Sequence, residues 1–174
     1  MLIKAAFLDR DGIINVDTGY IGNKEKFIFF GDVFKSLRYL EKEGYKLIVI
    51  TNQSGIGRGF FSEDDYKEVN KFMIEKLKEQ NINISKVYYC PHTPEDKCEC
   101  RKPNIKLFQN AIKDFKIDIQ DSILLGDKIS DIEAGKKIGI NKCYLISKKN
   151  TKVVCNGTYE SLSDFIESQK RLNI

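Results

Sequence analysis

Residues 2–12 read LIKAAFLDRDG. The short apolar run from Leu2 to Leu8 has the length and composition of a buried strand, and it stops abruptly at Asp9, Arg10, Asp11 and Gly12. The same device recurs along the chain. Lys46 to Ile50 runs into Thr51-Asn52-Gln53-Ser54-Gly55, Val87 to Tyr89 into Cys90-Pro91-His92, and Ser122 to Leu125 into Gly126-Asp127-Lys128; Lys142 to Ile146 makes a fifth short run. Amphipathic stretches lie between them. One helix is expected after Asp32 as N-cap, with Val33, Leu37 and Leu40 on one face and Gly44 past its end. A second begins at Ser62, with Asp65 as its capping partner, and carries Tyr66, Val69, Phe72, Met73 and Leu77 at helical spacing. A third follows Pro103 through Leu107, Phe108, Ala111, Ile112 and Phe115, and a short fourth runs from near Ser130 to Gly139. Strand and helix alternate throughout, which predicts a doubly wound, mostly parallel α/β sheet with helices on both faces. Ligands in such sheets bind beyond the carboxyl ends of the strands, where these charged and metal-binding residues stand.

The chain has 174 residues, 41% of them apolar and 31% charged, enough for one domain over residues 1–174 with a substantial core. Its net charge of +4 comes from 29 basic against 25 acidic side chains spread along the sequence, which suits small anions and excludes a nucleic-acid track. No apolar run approaches the roughly 18 residues that span a bilayer. The start, MLIKAAFLDRDG, passes from a short apolar run straight into charge, so the expectation is a cytoplasmic chain with no membrane partner. Nothing in the apolar pattern demands a second subunit, and a monomer is expected. Without an export signal, the five cysteines point to a metal rather than to a disulfide framework.

Asp9 and Asp11 flank a bend at a strand end, and with Asp127 they make an oxygen-rich cage suited to Mg²⁺. Such a metal cancels the repulsion between a carboxylate and an anionic phosphate, so that Asp9 can act as nucleophile and Asp11 as proton shuttle. The Thr51 hydroxyl and the backbone N–H groups after it can hold phosphoryl oxygens. Lys102, between Arg101 and the helix-opening Pro103, completes a phosphate cradle. Asp131 reads as an acid favourable in the first turn of a helix. Each feature alone is also an ordinary solvated turn, a strand former or a surface cation; together on successive strand ends they compose an active site. Cys90, His92, Cys98 and Cys100 place four ligands within eleven residues, including the only histidine, enough for a closed and therefore structural Zn²⁺ site. That site would pin the loop leading into Arg101 and Lys102, while Cys143 and Cys155 read as packing residues.

AAFLDRDG (5–12), VITNQSGIGRG (49–59), CRKP (100–103) and LLGDKISD (124–131) resemble, in order, the four motifs of the haloacid dehalogenase superfamily of phosphotransferases. More narrowly, DRDGIIN, DTGY, TNQSGIGRG, CPH, CRKP and GDK resemble its group of heptose-bisphosphate and histidinol-phosphate phosphatases, over about Ala5 to Ile146; the tail from Ser147 adds little. The resemblance implies a Rossmann-like fold without a cap domain, in which loops near residues 13–30, 53–62 and 91–103 select the substrate. It implies that Asp9 forms an aspartyl-phosphate, that Asp11 protonates the leaving oxygen and then activates water, and that Thr51 and Lys102 stabilise the transferring group. Mg²⁺ is implied on Asp9, the Asp11 backbone carbonyl and Asp127, and Zn²⁺ on Cys90, His92, Cys98 and Cys100. Substrate contacts fall on Asp17, Thr18, Gly19, Tyr20, Asn52, Gln53, Ser54, Arg101 and Lys128, with Arg10 and Arg58 as further cations. The implied substrate is a small phosphorylated sugar, D-glycero-D-manno-heptose 1,7-bisphosphate, which loses its 7-phosphate in ADP- or GDP-heptose biosynthesis. Histidinol phosphate is the alternative. Ile13 departs from the group's usual Thr, which is expected to tune activity, and the five residues between His92 and Cys98 are closer to the histidinol-phosphate enzymes. A receiver-like signalling domain also uses Asp, Mg²⁺, Thr and Lys, but accepts phosphate on a later strand and has no zinc loop.

Overall fold

The computed structural model describes residues 2–149 and 151–172. Six strands form one sheet: β1 (Ile3–Leu8), β2 (Lys46–Asn52), β3 (Ile84–Cys90), β4 (Ile117–Gly126), β5 (Lys142–Ile146) and β6 (Gly157–Tyr159). Every pairing is parallel, in the order β3-β2-β1-β4-β5-β6. The helices are α1 (Val33–Lys42), the single turn α2 (Ser54–Gly57), α3 (Glu63–Glu79), α4 (Lys106–Phe115), α5 (Ile129–Ile138) and α6 (Leu162–Leu172).

Alternation along the strands divides the core in two. Ala6 and Leu8 face Leu37 and Leu40 of α1, Val69, Met73 and Leu77 of α3 and Phe165 of α6. Ala5 and Phe7 face Leu107, Phe108 and Ala111 of α4 and Ile132 of α5, with the Phe7 and Phe108 rings 5.2 Å apart. β1 lies between β2 and β4, and the chain builds the sheet outwards to one side through β2 and β3 before crossing to the other side at β4, so the crevice above the carboxyl end of β1 is the natural ligand position. Among the described residues no helix is long and apolar enough to cross a membrane.

All four expected helices are present, and the structure changes several local readings. Asp32 stands at the N-cap of α1 but makes no cap bond there; its carboxylate instead accepts from the Ser163 N–H at 2.8 Å, in the first turn of α6. Pro103 does not open α4, which starts at Lys106 after a turn closed by the Asn104 N–H on the Arg101 carbonyl, so Lys102 sits in a loop. The tail beyond Ser147 supplies β6 and α6, whose Tyr159 and Phe165 pack on Tyr144. β4 also begins at Ile117, earlier than its apolar run. Its register with β1 slips between Lys4 and Ala6, where the Ala5 N–H donates to the Ser122 hydroxyl at 2.9 Å. By contrast, the box at the start of α3 is as expected: Ser62 Oγ accepts from the Asp65 N–H at 3.1 Å, and the Asp65 carboxylate accepts from the Ser62 N–H at 2.7 Å.

Because Asp32 serves α6 rather than its own helix, Asp32→Ala is expected to cost about 1 kcal/mol. Hydrogen exchange should quicken at Ser163 and in α6, leaving the first turn of α1 unchanged.

Candidate active site

Above the carboxyl ends of β1, β2 and β4 lies an open cleft of about 370 Å³. On its floor Asp9, the first residue after β1, is buried beside Lys102 and Asp131, both also buried. The Lys102 ammonium lies 3.1 Å from Asp9 and 2.7 Å from Asp131 and donates to the Ile50 carbonyl at 2.6 Å. Burial alone would lower its proton affinity, but Asp131 and Asp9 outweigh that and raise its pKa. Burial pushes the Asp9 carboxyl up despite the pull of Lys102. Asp127, one residue past β4, is pushed up to about 8 by burial and then by Asp9 beside it.

Asp9, Asp127 and Asp131 can each offer an oxygen within 4.8 Å of the others, and buried Asp127 Oδ1 has no hydrogen-bond partner among the described residues. Three crowded carboxylates against one buried ammonium, with an unsatisfied oxygen among them, suit a hard divalent cation. Two glycines leave the room. A Cβ on Gly12, whose φ is +88°, would lie 2.3 Å from the Asp127 carboxylate, and one on Gly126 would lie 2.3 Å from the Asp131 Cβ.

Asp11 lives in the opposite environment. Burial acts to raise its pKa, but the Arg10 guanidinium and hydrogen bonds from Asn15, Arg10 and Gln53 prevail and hold it below the usual carboxylate range. Asn15 Nδ2 donates at 2.9 Å, Gln53 Nε2 at 2.8 Å, and Arg10 through Nε at 3.2 Å and Nη2 at 3.0 Å. Arg10 itself is 0% exposed, with its guanidinium 5.8 Å from the Phe27 ring and 5.7 Å from the Tyr66 ring. It does not line the cleft, which corrects its expected place among the substrate contacts: it holds Asp11 instead. Gln53 lines the cleft yet is mostly an internal brace, accepting from Arg10 at 3.2 Å and donating to the buried Thr51 hydroxyl at 2.9 Å. Thr51 therefore keeps its own proton to donate.

The second cluster crosses the end of β3. Cys90 Sγ lies 3.5 Å from Cys98 Sγ, 2.8 Å from Cys100 Sγ and 3.6 Å from His92 Nδ1; Cys98 and Cys100 are 3.5 Å apart, and His92 Nδ1 is 3.2 Å from Cys100. Zinc–sulfur bonds of 2.3 Å in a tetrahedron would set sulfurs about 3.7 Å apart, so the four atoms fit one ion with small expansion. None of these cysteines is in a disulfide. Burial raises the Cys90 thiol, whereas at Cys98 the backbone N–H of Arg101 and the neighbouring thiols overcome burial and bring it down to about 7. The loop is also closed on itself: Asn104 Nδ2 donates to the Cys98 carbonyl at 2.7 Å, and Arg101 Nη1 to the His92 carbonyl at 3.3 Å.

A family model described as polynucleotide kinase 3 phosphatase matches residues 5–157. A D-glycero-beta-D-manno-heptose-1,7-bisphosphate 7-phosphatase of Haemophilus influenzae is 42% identical over 171 residues, covering 94% of this chain and 90% of that one. A D-glycero-alpha-D-manno-heptose-1,7-bisphosphate 7-phosphatase of Campylobacter jejuni is 36% identical over 174 residues, the whole of both chains. The chain belongs to the heptose-1,7-bisphosphate 7-phosphatase family. Its fold is that of D,D-heptose 1,7-bisphosphate phosphatase from B. bronchiseptica, crystallised with magnesium and phosphate, at a TM-score of 0.88 and 23% identity over 98% of this chain and 99% of that one. A putative haloacid dehalogenase-like phosphatase of Mesorhizobium loti superposes at a TM-score of 0.84 with 29% identity, covering 98% of this chain and 88% of that one.

Within this heptose-bisphosphate phosphatase family fold, the remaining sequence-predicted residues divide into three groups. Asp17, Gly19, Tyr20, Ser54, Arg101 and Lys128 line the cleft, with Lys128 Nζ 3.2 Å from Asp17 and 3.6 Å from Asp127. Asn52 also lines it, but its amide grips the backbone of Lys102, donating to the carbonyl at 3.2 Å and accepting from the N–H at 3.0 Å. Thr18 and Arg58 lie outside the lining; Thr18 is exposed, and Arg58 leans towards Glu95 at 3.9 Å. The expected reach of Arg58 into the cleft is thus corrected, because the turn after α2 points it at the zinc loop. Sequence reasoning missed Asp131 as a site residue, along with Asn15, Ile21, Gly55, Phe61 and Ser130. The signal for Asp131 was its place four residues after Asp127, which also reads as a helix-start acid.

Arg10→Ala leaves a half-buried carboxylate without its main partner, so it is expected to lower unfolding stability by on the order of 3 kcal/mol in urea titrations. The cluster is expected to carry zinc by elemental analysis, and Cys98→Ser to lose most of it and lower the melting temperature, while the preference for one phosphate over another stays unchanged.

Proposed function

We propose that this chain removes the 7-phosphate of D-glycero-D-manno-heptose 1,7-bisphosphate by Mg²⁺-dependent transfer of the phosphoryl group to Asp9. The observation that carries this reading is the arrangement on the cleft floor: Asp9 held by Lys102, with Asp127 and Asp131 beside it and Asp11 two residues away. An Asp9 oxygen attacks phosphorus, the bond to the sugar oxygen breaks, and that oxygen takes a proton from Asp11. Asp11 then takes a proton from water, whose oxygen displaces Asp9 from phosphorus and releases inorganic phosphate.

The donors around Asp11 favour its carboxylate, the form the second step needs; an arriving phosphate dianion raises its proton affinity for the first. Lys102 and the Thr51 hydroxyl stabilise charge on the transferring group. Mg²⁺ on Asp9, Asp127 and the Asp11 carbonyl would screen the repulsion between carboxylate and phosphate and polarise the phosphoryl oxygens. Asp131 holds Lys102 at the edge of that cage. Arg101 and Lys128 on the cleft wall are the cations for the second phosphate. The zinc cluster is structural in this reading, with all four positions filled by protein, and it orients the loop carrying Arg101 and Lys102.

Phosphate release with Mg²⁺ should be measured from both anomers of the heptose bisphosphate and from histidinol phosphate. The heptose bisphosphate is expected to be cleaved most efficiently, with Asp9→Asn reducing release by at least about 10³-fold. Preference for histidinol phosphate would overturn the substrate, and release surviving in the variant would overturn the nucleophile.

A further inference from the structure

Two large aromatic side chains stand in solvent beside the cleft: Tyr20 is 52% exposed and Phe60 is 62% exposed. They meet edge to face, with ring centroids 4.6 Å apart and planes at 71°. We infer that Phe60 is a specificity-determining positioning residue, holding Tyr20 over the cleft mouth so that the pair offers an apolar edge to the carbon skeleton of the sugar phosphate. This inference rests on the functional reading above and concerns a residue outside the catalytic machinery.

Three observations converge on it. First, the segment from Asp17 to Tyr20 is fastened at both ends across the cleft. Asp17 is paired with Lys128, at the N-terminus of α5, at 3.2 Å, and Tyr20 rests on Phe60, in the turn after α2. Second, the backbone at Tyr20 is in the left-handed region, with φ +47° following +80° at Gly19. Glycine adopts that conformation freely, while a tyrosine does so at a cost that some other contact must offset. Tyr20 is thereby turned into the cleft lining, and among the described residues its one aromatic partner is Phe60. Third, the direction of Phe60 is set by its neighbour. The Phe61 ring fills the space where Gly22 and Gly55 lack a Cβ, which would lie 2.3 Å and 2.2 Å from its atoms. Phe61 thus ties the two loops together at their base, and Phe60 leaves that anchor towards the mouth.

Core packing does not account for a pair so exposed, whereas an apolar edge at the mouth of a largely polar cleft does. The polar walls hold phosphates and hydroxyls; an aromatic face receives the C–H bonds of a ring, discriminating a sugar phosphate from a phosphate without a skeleton. Removing the Phe60 ring therefore acts on binding rather than on the phosphoryl chemistry at Asp9.

The test compares wild type, Phe60→Ala and Phe60→Tyr on heptose bisphosphate and on acetyl phosphate, which carries the phosphoryl group without a ring. In Phe60→Ala, KM for the sugar bisphosphate should rise roughly three- to tenfold, the scale of one aromatic contact, with kcat within about twofold. KM for acetyl phosphate should not move, and Phe60→Tyr should restore the wild-type values. An unchanged KM for the sugar, an equal rise for acetyl phosphate, or failure of tyrosine to rescue would overturn the inference. Phe60→Leu serves the same comparison should the alanine variant not fold. If the wild type cleaves a different ring-bearing phosphomonoester and not heptose bisphosphate, the functional reading falls, and the same variants judge Phe60 on that ester.

Discussion

A buried ammonium orders this active site. Lys102 comes from a loop rather than from a helix or strand, yet its charge lies among Asp9, Asp131 and the Ile50 carbonyl with almost no access to water. An unpaired charge at that depth would be prohibitive, so both carboxylates must be present and correctly turned before the lysine can enter. The elements around it meet that requirement. Gly126 makes room for Asp131, the Asn52 amide grips the Lys102 backbone from the end of β2, and the cysteine–histidine cluster closes the loop just before Arg101. The ion pairs contribute little net stability against a packed apolar core. Their larger effect is geometric, because only one arrangement of three chain segments satisfies them.

The same constraint divides two carboxylates that are neighbours in sequence. Asp9 is buried beside other acids, so its proton affinity rises despite the pull of Lys102. Asp11 is surrounded by N–H donors from Arg10, Asn15 and Gln53, which favour its carboxylate form. Environments that push paired titratable groups apart are how one site provides both a nucleophile and a proton-transfer group. Arg10 makes the separation possible by lying between Phe27 and Tyr66 with its guanidinium bonded to Asp11 and Gln53.

Much of this was legible in the chain because the signals are local. The strand-ending acids, the Ser62 cap, Gly139 after α5 and the spacing from Cys90 to Cys100 each depend on residues a few positions apart. Alternating short strands and amphipathic helices then bring the strand ends to one edge of a parallel sheet. What failed was nonlocal. Asp32 resembles a cap for α1 because its neighbours in sequence belong to that helix, but its carboxylate accepts instead from the N–H of Ser163, 131 residues on. Arg10 resembles a substrate cation because it stands between two acids at a strand end, and only the packing of Phe27 and Tyr66 from later segments shows that it is enclosed.

By itself the sequence determined the alternation that makes a doubly wound sheet, the order of acid, hydroxyl, lysine and acid on its strand ends, and the four soft ligands of the zinc-type cluster. All of these follow from periodicity and short-range spacing. Tertiary structure alone decided which of those groups face the cleft and which brace it: Asp131 joining Lys102, Gln53 and Arg10 turning inward to Asp11, Arg58 leaning away, and Phe60 meeting Tyr20 across the mouth. The physical reason is that burial and hydrogen-bond satisfaction are set by whatever packs against a residue. For these side chains the partners lie on different loops that only the folded sheet brings together.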